Sequence, residues 1–259
     1  MKKEKCLLIE KLLNEGWASD EKEALALVMT GNVLVNDYPA ASIKEKISTN
    51  SEIRIRGKNN MRYVTRAGLK LEKGLNFFRV PVAGKTCLDI GCSEGGFTDC
   101  LLKAGAAKVY AVDVAYGTFD WSLRNDGRVV LLERTNARNL NKKLIPEPID
   151  LLTCDVSFIS LRKILPPAVK LLKPEAIFIA LFKPQFELAP GYLGKNGNVE
   201  DTGRITEGIT DLQGFLGERG IYVRETIESP IRGSNGNVEV LLYGDINSGQ
   251  ALSSDIQSK

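Results

Sequence analysis

From about Thr65 onward the sequence alternates between short apolar runs and segments with helical spacing, and this alternation limits the possible folds more than any other feature. Five runs are typical of strands: "KTCLDIG", "KVYAVDV", "RVVLLE", "IDLLTCDVSF" and "AIFIALF". Repeated strand-then-helix units predict an α/β fold, with a parallel sheet covered by helices on both faces. The last two runs, "IYVRETIES" and "NVEVLLYG", are joined by the turn-rich "PIRGSNG", which predicts a hairpin and one antiparallel strand.

The beginning of the chain has a different pattern, which predicts a separate small unit at residues 1–61. Two helical segments precede short strands there, and Asp20 followed by Glu23 resembles a capping box at the start of the second helix. Residues 62–246 are expected to form the α/β domain. The polar segment 247–259 is expected to be a disordered tail.

Composition narrows the class of protein without naming an activity. A net charge of +3 permits nucleic acid binding without requiring it. Five cysteines without any Cys-x-x-Cys spacing argue against a zinc site or a disulfide framework, and they suit a reducing compartment. The longest apolar run, Ala176 to Phe182, is far shorter than the ~20 residues of a membrane helix. We therefore expect a cytoplasmic protein without a metal site.

The chain contains no histidine. The commonest general base of enzymes is therefore missing, and so is any Ser-His or Cys-His catalytic pair. Proton transfer near neutral pH must then use a carboxylate, a lysine, a cysteine or water.

A glycine-rich bend follows the first strand of the α/β region, in "LDIGCSEGGFTDCLL" at residues 88–102. A dinucleotide fingerprint would place three glycines here, but the three positions hold Gly91, Ser93 and Gly96. The missing second glycine is the one that lets the backbone approach a pyrophosphate. The bend therefore argues against NAD.

Asp113 lies 22 residues after Gly91, at the end of the next predicted strand. A carboxylate at that place can accept hydrogen bonds from both ribose hydroxyls of a nucleoside cofactor. S-adenosylmethionine fits this pattern, with its adenosine at Asp113 and its amino-acid end at the bend amides and Asp89. The alternative is that the tight turn simply requires glycine and that Asp113 caps local structure.

Seven segments, taken in order, make the chain similar to one family along nearly its whole length: "YVTRAGLKL", "LDIGCSEGGFTDCLL", "VYAVDVAYG", "ERTNARNL", "DVSFISL", "KPQFE" and "SPIRGSNGNVE". They resemble the TlyA-type ribosomal RNA methyltransferases, also called hemolysin A, which join an S4-like RNA-binding domain to an FtsJ-like methyltransferase domain. The resemblance implies a Rossmann-like, seven-stranded class I methyltransferase sheet behind a small α+β S4-like domain. It also implies S-adenosylmethionine-dependent 2′-O-methylation of cytidine in ribosomal RNA.

The same resemblance implies particular site residues. The Lys-Asp-Lys-Glu tetrad of FtsJ-like enzymes falls on Lys70, Asp155, Lys183 and Glu239. Asp155 and Lys183 also follow predicted strands, where open α/β sheets bind ligands. The implied cofactor site comprises Asp89, Gly91, Ser93, Gly95, Gly96, Phe97, Asp113 and Asn136.

A ribose 2′-hydroxyl is a poor nucleophile until it loses its proton, and without histidine the candidate base is Lys183. A lysine acts as a base only if burial or a neighbouring cation lowers its pKa. Lys70 can supply that cation, and Asp155 and Glu239 would orient the lysines and the hydroxyl.

A basic run at residues 54–73 joins the two predicted domains, with seven basic side chains against one acid, Glu72. Such a strip suits contacts with phosphates, which position RNA without reading its sequence. The first 60 residues are nearly balanced, with ten basic and nine acidic side chains, which argues against strong RNA binding by that unit alone. The expected RNA contacts are Arg54, Arg56, Lys58, Arg62 and Arg66.

Two other methyl acceptors are disfavoured. Enzymes that methylate exocyclic amino groups commonly carry Asn/Asp-Pro-Pro-Tyr after the fourth strand, where this chain has "DVSF". Cytosine C5 enzymes need a cysteine nucleophile, usually after proline, and no Pro-Cys pair is present. Cys154 adjoins Asp155, but strand alternation turns the two side chains to opposite faces.

Two other functional classes stay open. One is a non-catalytic RNA-binding or ribosome-assembly factor that retains the fold. The other is a membrane-active hemolysin, suggested by the family's second name and opposed by the short apolar runs.

Overall fold

The structure is a computed structural model, and it describes residues 5–36, 38–49, 51, 53–55, 62–194, 197–199, 201–233 and 236–246. Two of the expected RNA contacts, Arg56 and Lys58, lie outside the described residues, and so does the predicted tail at 247–259. Within the described ranges, no helix combines the length and the apolar character needed to cross a membrane.

The N-terminal residues form a small α+β unit. Its elements are β1 (Lys5–Leu7), α1 (Leu8–Asn14), α2 (Glu21–Met29), β2 (Val33–Val35), β3 (Tyr38–Pro39), β4 (Lys46–Ser48) and β5 (Ile53–Ile55). Strand β1 pairs antiparallel with β4, and β2 lies between β3 and β5 in a three-stranded sheet. Buried side chains from both helices and the strands, such as Leu12, Leu27 and Val33, make a core of their own.

The start of α2 confirms the predicted cap. The Asp20 carboxylate accepts a hydrogen bond from the backbone N–H of Glu23 at 2.8 Å. The Glu23 carboxylate in turn accepts one from the backbone N–H of Ser19, also at 2.8 Å. The first bond gives a partner to an N–H of the first helical turn, which has none within the helix. The second bond holds the residue before the cap against the same turn.

The larger domain is a seven-stranded sheet with helices on both faces, as the alternating pattern predicts. Its elements are α3 (Ala67–Phe77), β6 (Thr86–Ile90), α4 (Gly96–Lys103), β7 (Lys108–Val112), α5 (Trp121–Arg124), β8 (Val129–Leu132), β9 (Ile149–Cys154), α6 (Leu161–Ala168), β10 (Leu172–Phe182), α7 (Pro184–Glu187), α8 (Thr202–Gly217), β11 (Tyr222–Glu228) and β12 (Val240–Asp245). The strand order is β11-β12-β10-β9-β6-β7-β8, and β12 runs antiparallel to both of its neighbours. The predicted closing hairpin is therefore confirmed.

The strand order reverses at β6. From β6 the chain proceeds through β7 and β8 on one side, and through β9 and β10 on the other. In open α/β sheets the crevice at the carboxyl ends of such neighbouring strands is where ligands bind. The segments after β6 and β9 meet there, because the Asp155 N–H donates to the Ile90 carbonyl at 2.9 Å.

Candidate active site

Two adjoining cavities open at the carboxyl edge of the sheet. The larger, of about 480 Å³, lies at the ends of β6, β7, β8 and β9. The smaller, of about 250 Å³, lies between the start of α3, the glycine bend and the ends of β9 and β10. Gly91, Ser93, Asp155 and Ser157 line both cavities, so a group held in one can reach a group held in the other.

Two glycines of the bend allow three segments to approach one another closely. Gly91 has φ +81°, and a Cβ there would overlap the backbone carbonyl of Asp155. Gly96 begins α4, and a Cβ there would overlap the hydroxyl of Thr65, just before α3. The glycine pattern therefore brings the strand-end turn, the Asp155 segment and the start of α3 together around the cavities.

Asp113 lies at the wall of the larger cavity with both carboxylate oxygens engaged by the backbone. One oxygen accepts from the Ser93 N–H and the other from the Ala115 N–H, each at 2.8 Å. An ionised carboxylate offers about four acceptor positions. These two bonds leave acceptor capacity on an already oriented carboxylate, which is what two ribose hydroxyls require.

The other residues of the implied cofactor site divide into three groups. Asn136 lines the larger cavity beside Asp113, and its side-chain oxygen accepts from the Arg138 N–H at 3.0 Å. Gly96 and Phe97 line the smaller cavity. Gly95, with φ +102°, lines neither cavity and instead packs against apolar side chains of the α5 region.

Asp89 differs from the expectation that it meets a cofactor directly. Its side chain is fully buried and lines neither cavity. Its carboxylate accepts from the Thr98 hydroxyl at 2.6 Å and from the Thr153 hydroxyl at 3.1 Å. Burial raises the pKa of Asp89 to about 7. Asp89 lies on β6, Thr98 on α4 and Thr153 on β9, so these hydrogen bonds connect the three elements beneath the glycine bend.

This raised pKa predicts a pH-dependent stability. The carboxyl pKa is about 7 in the folded chain and about 3.9 in an unfolded one, so between those values the folded state binds more protons. The free energy of unfolding should therefore fall as pH rises from about 4 to about 7. Asp89→Asn keeps the shape without titrating, and we expect its stability to decline less over that window in denaturant unfolding at stepped pH. Glu175→Gln, at an exposed position of β10, is the control; identical pH slopes for Asp89→Asn and wild type would contradict the assignment.

The four tetrad residues come together as two lysine–carboxylate pairs. The Lys70 amine donates to the Glu239 carboxylate at 2.5 Å, and both side chains are buried. The Lys183 amine lies 2.6 Å from the Asp155 carboxylate and donates to the Ser157 hydroxyl at 3.0 Å. Lys70, Asp155 and Lys183 line the smaller cavity, and Glu239 contacts it through Lys70.

The sequence left open which carboxylate each lysine contacts: the structure pairs Lys70 with Glu239 and Lys183 with Asp155. Each lysine has its own carboxylate partner, because a buried charge is strongly unfavourable unless an opposite charge or hydrogen bonds compensate it. Lys70 and Lys183 both line the smaller cavity.

Glu239 lies one residue before β12, not on the strand itself. Its backbone carbonyl accepts from the Ser229 N–H at 2.9 Å, which closes the hairpin behind it. A Cβ at Gly233 would overlap the Glu239 carboxylate, so this glycine leaves the space that the side chain fills. Gly233 therefore shapes the space around the Glu239 carboxylate.

The basic residues are distributed unevenly. Arg66 lines the smaller cavity, and its guanidinium lies 3.5 Å from the carboxylate of Glu15 in the N-terminal unit. Arg62 is exposed and pairs with Glu72. Arg54 is exposed on β5, in the N-terminal unit. Of the expected RNA contacts within the described residues, only Arg66 lines a cavity of the site.

The structure adds residues that the motif reading did not single out. Ser157 bridges the two cavities and contacts Lys183. Phe158 lines the larger cavity, is 91% exposed, and has a positive φ of 64°, which is unusual for a bulky residue. Both belong to the "DVSF" segment, so their closeness to Asp155 in the chain was the available signal.

The cysteines do not supply a nucleophile. Cys154 is fully buried among apolar side chains and lines neither cavity, and burial raises the pKa of its thiol. Cys92 lines the smaller cavity, but burial raises the pKa of its thiol as well. A thiolate is the reactive form of cysteine, so this environment does not favour a C5-type mechanism. Among the residues that the structure describes, no three Asp, Glu or Cys side chains converge as a metal site.

The chain is similar to known methyltransferases and hemolysins in both sequence and structure. Residues 63–245 match the FtsJ-like methyltransferase family. The chain is 38% identical over 242 residues to the 16S/23S rRNA (cytidine-2′-O)-methyltransferase TlyA of Mycobacterium tuberculosis, covering 93% of this chain and 90% of the relative. It is 39% identical over 237 residues to Hemolysin A of Brachyspira hyodysenteriae, covering 91% and 98%. The solved structure of a candidate hemolysin from Streptococcus thermophilus superposes with a TM-score of 0.73 at 35% identity, over 95% of this chain and 90% of that one.

Proposed function

The chain belongs to the FtsJ-like methyltransferase family, and from that premise we propose that it methylates the ribose 2′-hydroxyl of cytidine in ribosomal RNA, using S-adenosylmethionine. The names of the relatives support this class of substrate. The observation that carries the proposal is the meeting of two cavities at Asp155, with the Lys183–Asp155 pair at their junction.

The larger cavity suits the cofactor. Asp113 would hold the ribose hydroxyls, because its carboxylate is preoriented by the Ser93 and Ala115 amides and keeps acceptor capacity. Asn136 and the Gly91 bend complete the polar part of the wall, and apolar side chains supply the rest. When bound, S-adenosylmethionine supplies an electrophilic methyl group on a sulfonium.

The smaller cavity would receive the target ribose. Lys183, as the free amine, would take the proton of the 2′-hydroxyl, so that the O–H bond breaks and an ammonium forms beside the Asp155 carboxylate. Asp155 stabilises that charge, and Ser157 fixes the direction of the amine. Lys183, Asp155 and Ser157 are already in contact in the structure, so positioning would supply much of the rate.

Lys70 and Glu239 would hold the far wall of this cavity. Their buried pair ties α3 to the start of β12, two elements that are distant in the chain. The basic side chain of Arg66 at the cavity mouth would contact an RNA phosphate. We assign the N-terminal unit as the S4-like RNA-binding domain, whose exposed Arg54 would add a further phosphate contact.

Asp113→Ala tests the cofactor assignment. Hydrogen bonds to a charged group contribute about 1.5–3 kcal/mol each, so loss of the two that Asp113 would make with the ribose hydroxyls should weaken S-adenosylmethionine binding by about 100-fold or more. Isothermal titration calorimetry measures this directly. Asp126→Ala, which removes a half-exposed carboxylate that pairs with Arg128 and lines neither cavity, should bind with wild-type affinity; an unchanged dissociation constant for Asp113→Ala would remove the assignment.

The activity itself is tested with purified protein, tritiated S-adenosylmethionine and isolated ribosomal subunits. We expect label to enter ribosomal RNA, and mass-spectrometric mapping should place it on the 2′-oxygen of cytidine. A protein that bound the subunits tightly and transferred nothing would instead be a non-catalytic assembly factor. Label on a base would refute the proposed acceptor.

A further inference from the structure

Two segments that follow neighbouring strands contact each other at several successive residues. Residues 155–161 follow β9, and residues 183–187 follow β10. Asp155 and Ser157 contact the Lys183 amine at 2.6 and 3.0 Å, and the rings of Phe158 and Phe186 lie 5.1 Å apart. At the end of this series, the Glu187 carboxylate contacts the start of α6.

Glu187 uses both carboxylate oxygens in that contact. One accepts from the Ser160 hydroxyl at 2.6 Å, and the other accepts from the Leu161 N–H at 2.7 Å. Leu161 is the first residue of α6, so its N–H has no partner inside the helix. A carboxylate at a helix N-terminus is also favoured by the helix dipole. We call these three residues the α6 clasp.

The backbone connects the α6 clasp directly to Lys183. Only the single helical turn of α7 separates Glu187 from Lys183, and the Phe186 N–H donates to the Lys183 carbonyl at 2.9 Å. Pro184 directly after Lys183 restricts the backbone further. A shift of Glu187 would therefore move the backbone that carries the Lys183 amine.

We propose that Glu187 is a positioning residue for methyl transfer, which holds the Lys183 turn against the N-terminus of α6 so that the amine stays on Asp155 and Ser157. This inference rests on the proposed function. Glu187 lines neither cavity, so it acts on the reaction only through Lys183 and the 155–161 segment.

The test compares Glu187→Ala, Glu187→Gln and a control in α8 that removes a different side-chain contact of α6. Asp211→Ala removes the exposed partner of Arg162, 2.7 Å away, and leaves the α6 clasp intact. A displacement of about 1 Å can reduce a rate 100-fold, so Glu187→Ala should lower kcat roughly 10- to 100-fold, with little change in KM for RNA. Glu187→Gln should restore most of kcat, because its carbonyl can accept from Leu161 and its amide can donate to Ser160. Asp211→Ala should match wild type.

Hydrogen–deuterium exchange supplies a measurement that does not depend on activity. Glu187→Ala should exchange faster than wild type at residues 155–161, while Glu187→Gln and Asp211→Ala should not. If Glu187→Ala is not folded, Glu187→Asp replaces it, because the shorter side chain keeps the charge and loses the reach.

Each outcome decides between the proposals. Wild-type kcat together with wild-type exchange in Glu187→Ala overturns the positioning role, and so does a kcat for Glu187→Gln as low as that of Glu187→Ala. If the wild-type protein transfers no methyl group, the proposed function fails. The exchange comparison then still supports or overturns the α6 clasp by itself.

Discussion

Lys183→Ala is expected to lower methyl transfer by about 10²- to 10⁴-fold, the range that a positioned acid–base group contributes. The affinity for S-adenosylmethionine should be nearly unchanged, because Lys183 lines the smaller cavity and not the larger one. Single-turnover transfer of tritium to ribosomal RNA measures the first quantity, and calorimetry measures the second.

The matched control lies on β10, the strand that Lys183 follows. Lys173 pairs with Asp150 at 2.7 Å at the opposite end of β10, so Lys173→Ala removes a more exposed lysine–aspartate pair that lines neither cavity. It should keep wild-type turnover. Thermal unfolding of both variants separates a catalytic loss from a loss of folded protein, since Lys183→Ala leaves the largely buried Asp155 without its cation.

Two results would contradict the role of Lys183. Unchanged turnover in Lys183→Ala would exclude the amine as the base. A loss of cofactor affinity as large as the loss of rate would place Lys183 in the cofactor site instead.

Glu239→Ala is expected to destabilise the fold by about 3–5 kcal/mol, because it leaves the ammonium of Lys70 buried without a partner. At about 2–4 °C per kcal/mol for a chain of this size, the melting temperature should fall by roughly 6–20 °C. Calorimetric or fluorescence-detected unfolding measures the shift.

The double variant Lys70→Met with Glu239→Met separates stability from activity. Replacing a buried ion pair with apolar side chains of similar volume is often neutral or stabilising, and methionine adapts to irregular space. We expect the double variant to recover most of the wild-type melting temperature and to remain deficient in methyl transfer.

If the double variant had wild-type turnover, the Lys70–Glu239 pair would stabilise the fold without taking part in methyl transfer. A wild-type melting temperature in Glu239→Ala would mean that Lys70 finds water or another acceptor, contrary to the buried geometry.

Local sequence patterns were enough to predict the architecture. The period of apolar residues, the glycines and the capping residues act over a few positions, so they predicted the alternating strands and helices, the closing hairpin and the cap at Asp20. The strand-end positions of Asp155 and Lys183 followed from the same patterns, because parallel strands share one carboxyl edge.

Contacts between distant segments were not predictable in this way. Lys70 and Glu239 are separated by 169 positions, and nothing in either segment indicates which carboxylate each lysine binds. Local patterns also gave no signal for three other features. These are the burial of Asp89 beneath the bend, the contact of Ser157 with Lys183 and the contact of Glu187 with the start of α6.

The sequence by itself determined that strands and helices alternate, that the bend needs glycine, and that no histidine is available for proton transfer. Only the tertiary structure decided the pairing of lysines with carboxylates and the meeting of two cavities at Asp155. The reason is physical: periodicity and backbone preference are local, whereas charge pairing and cavity shape depend on which strands become neighbours in the folded sheet.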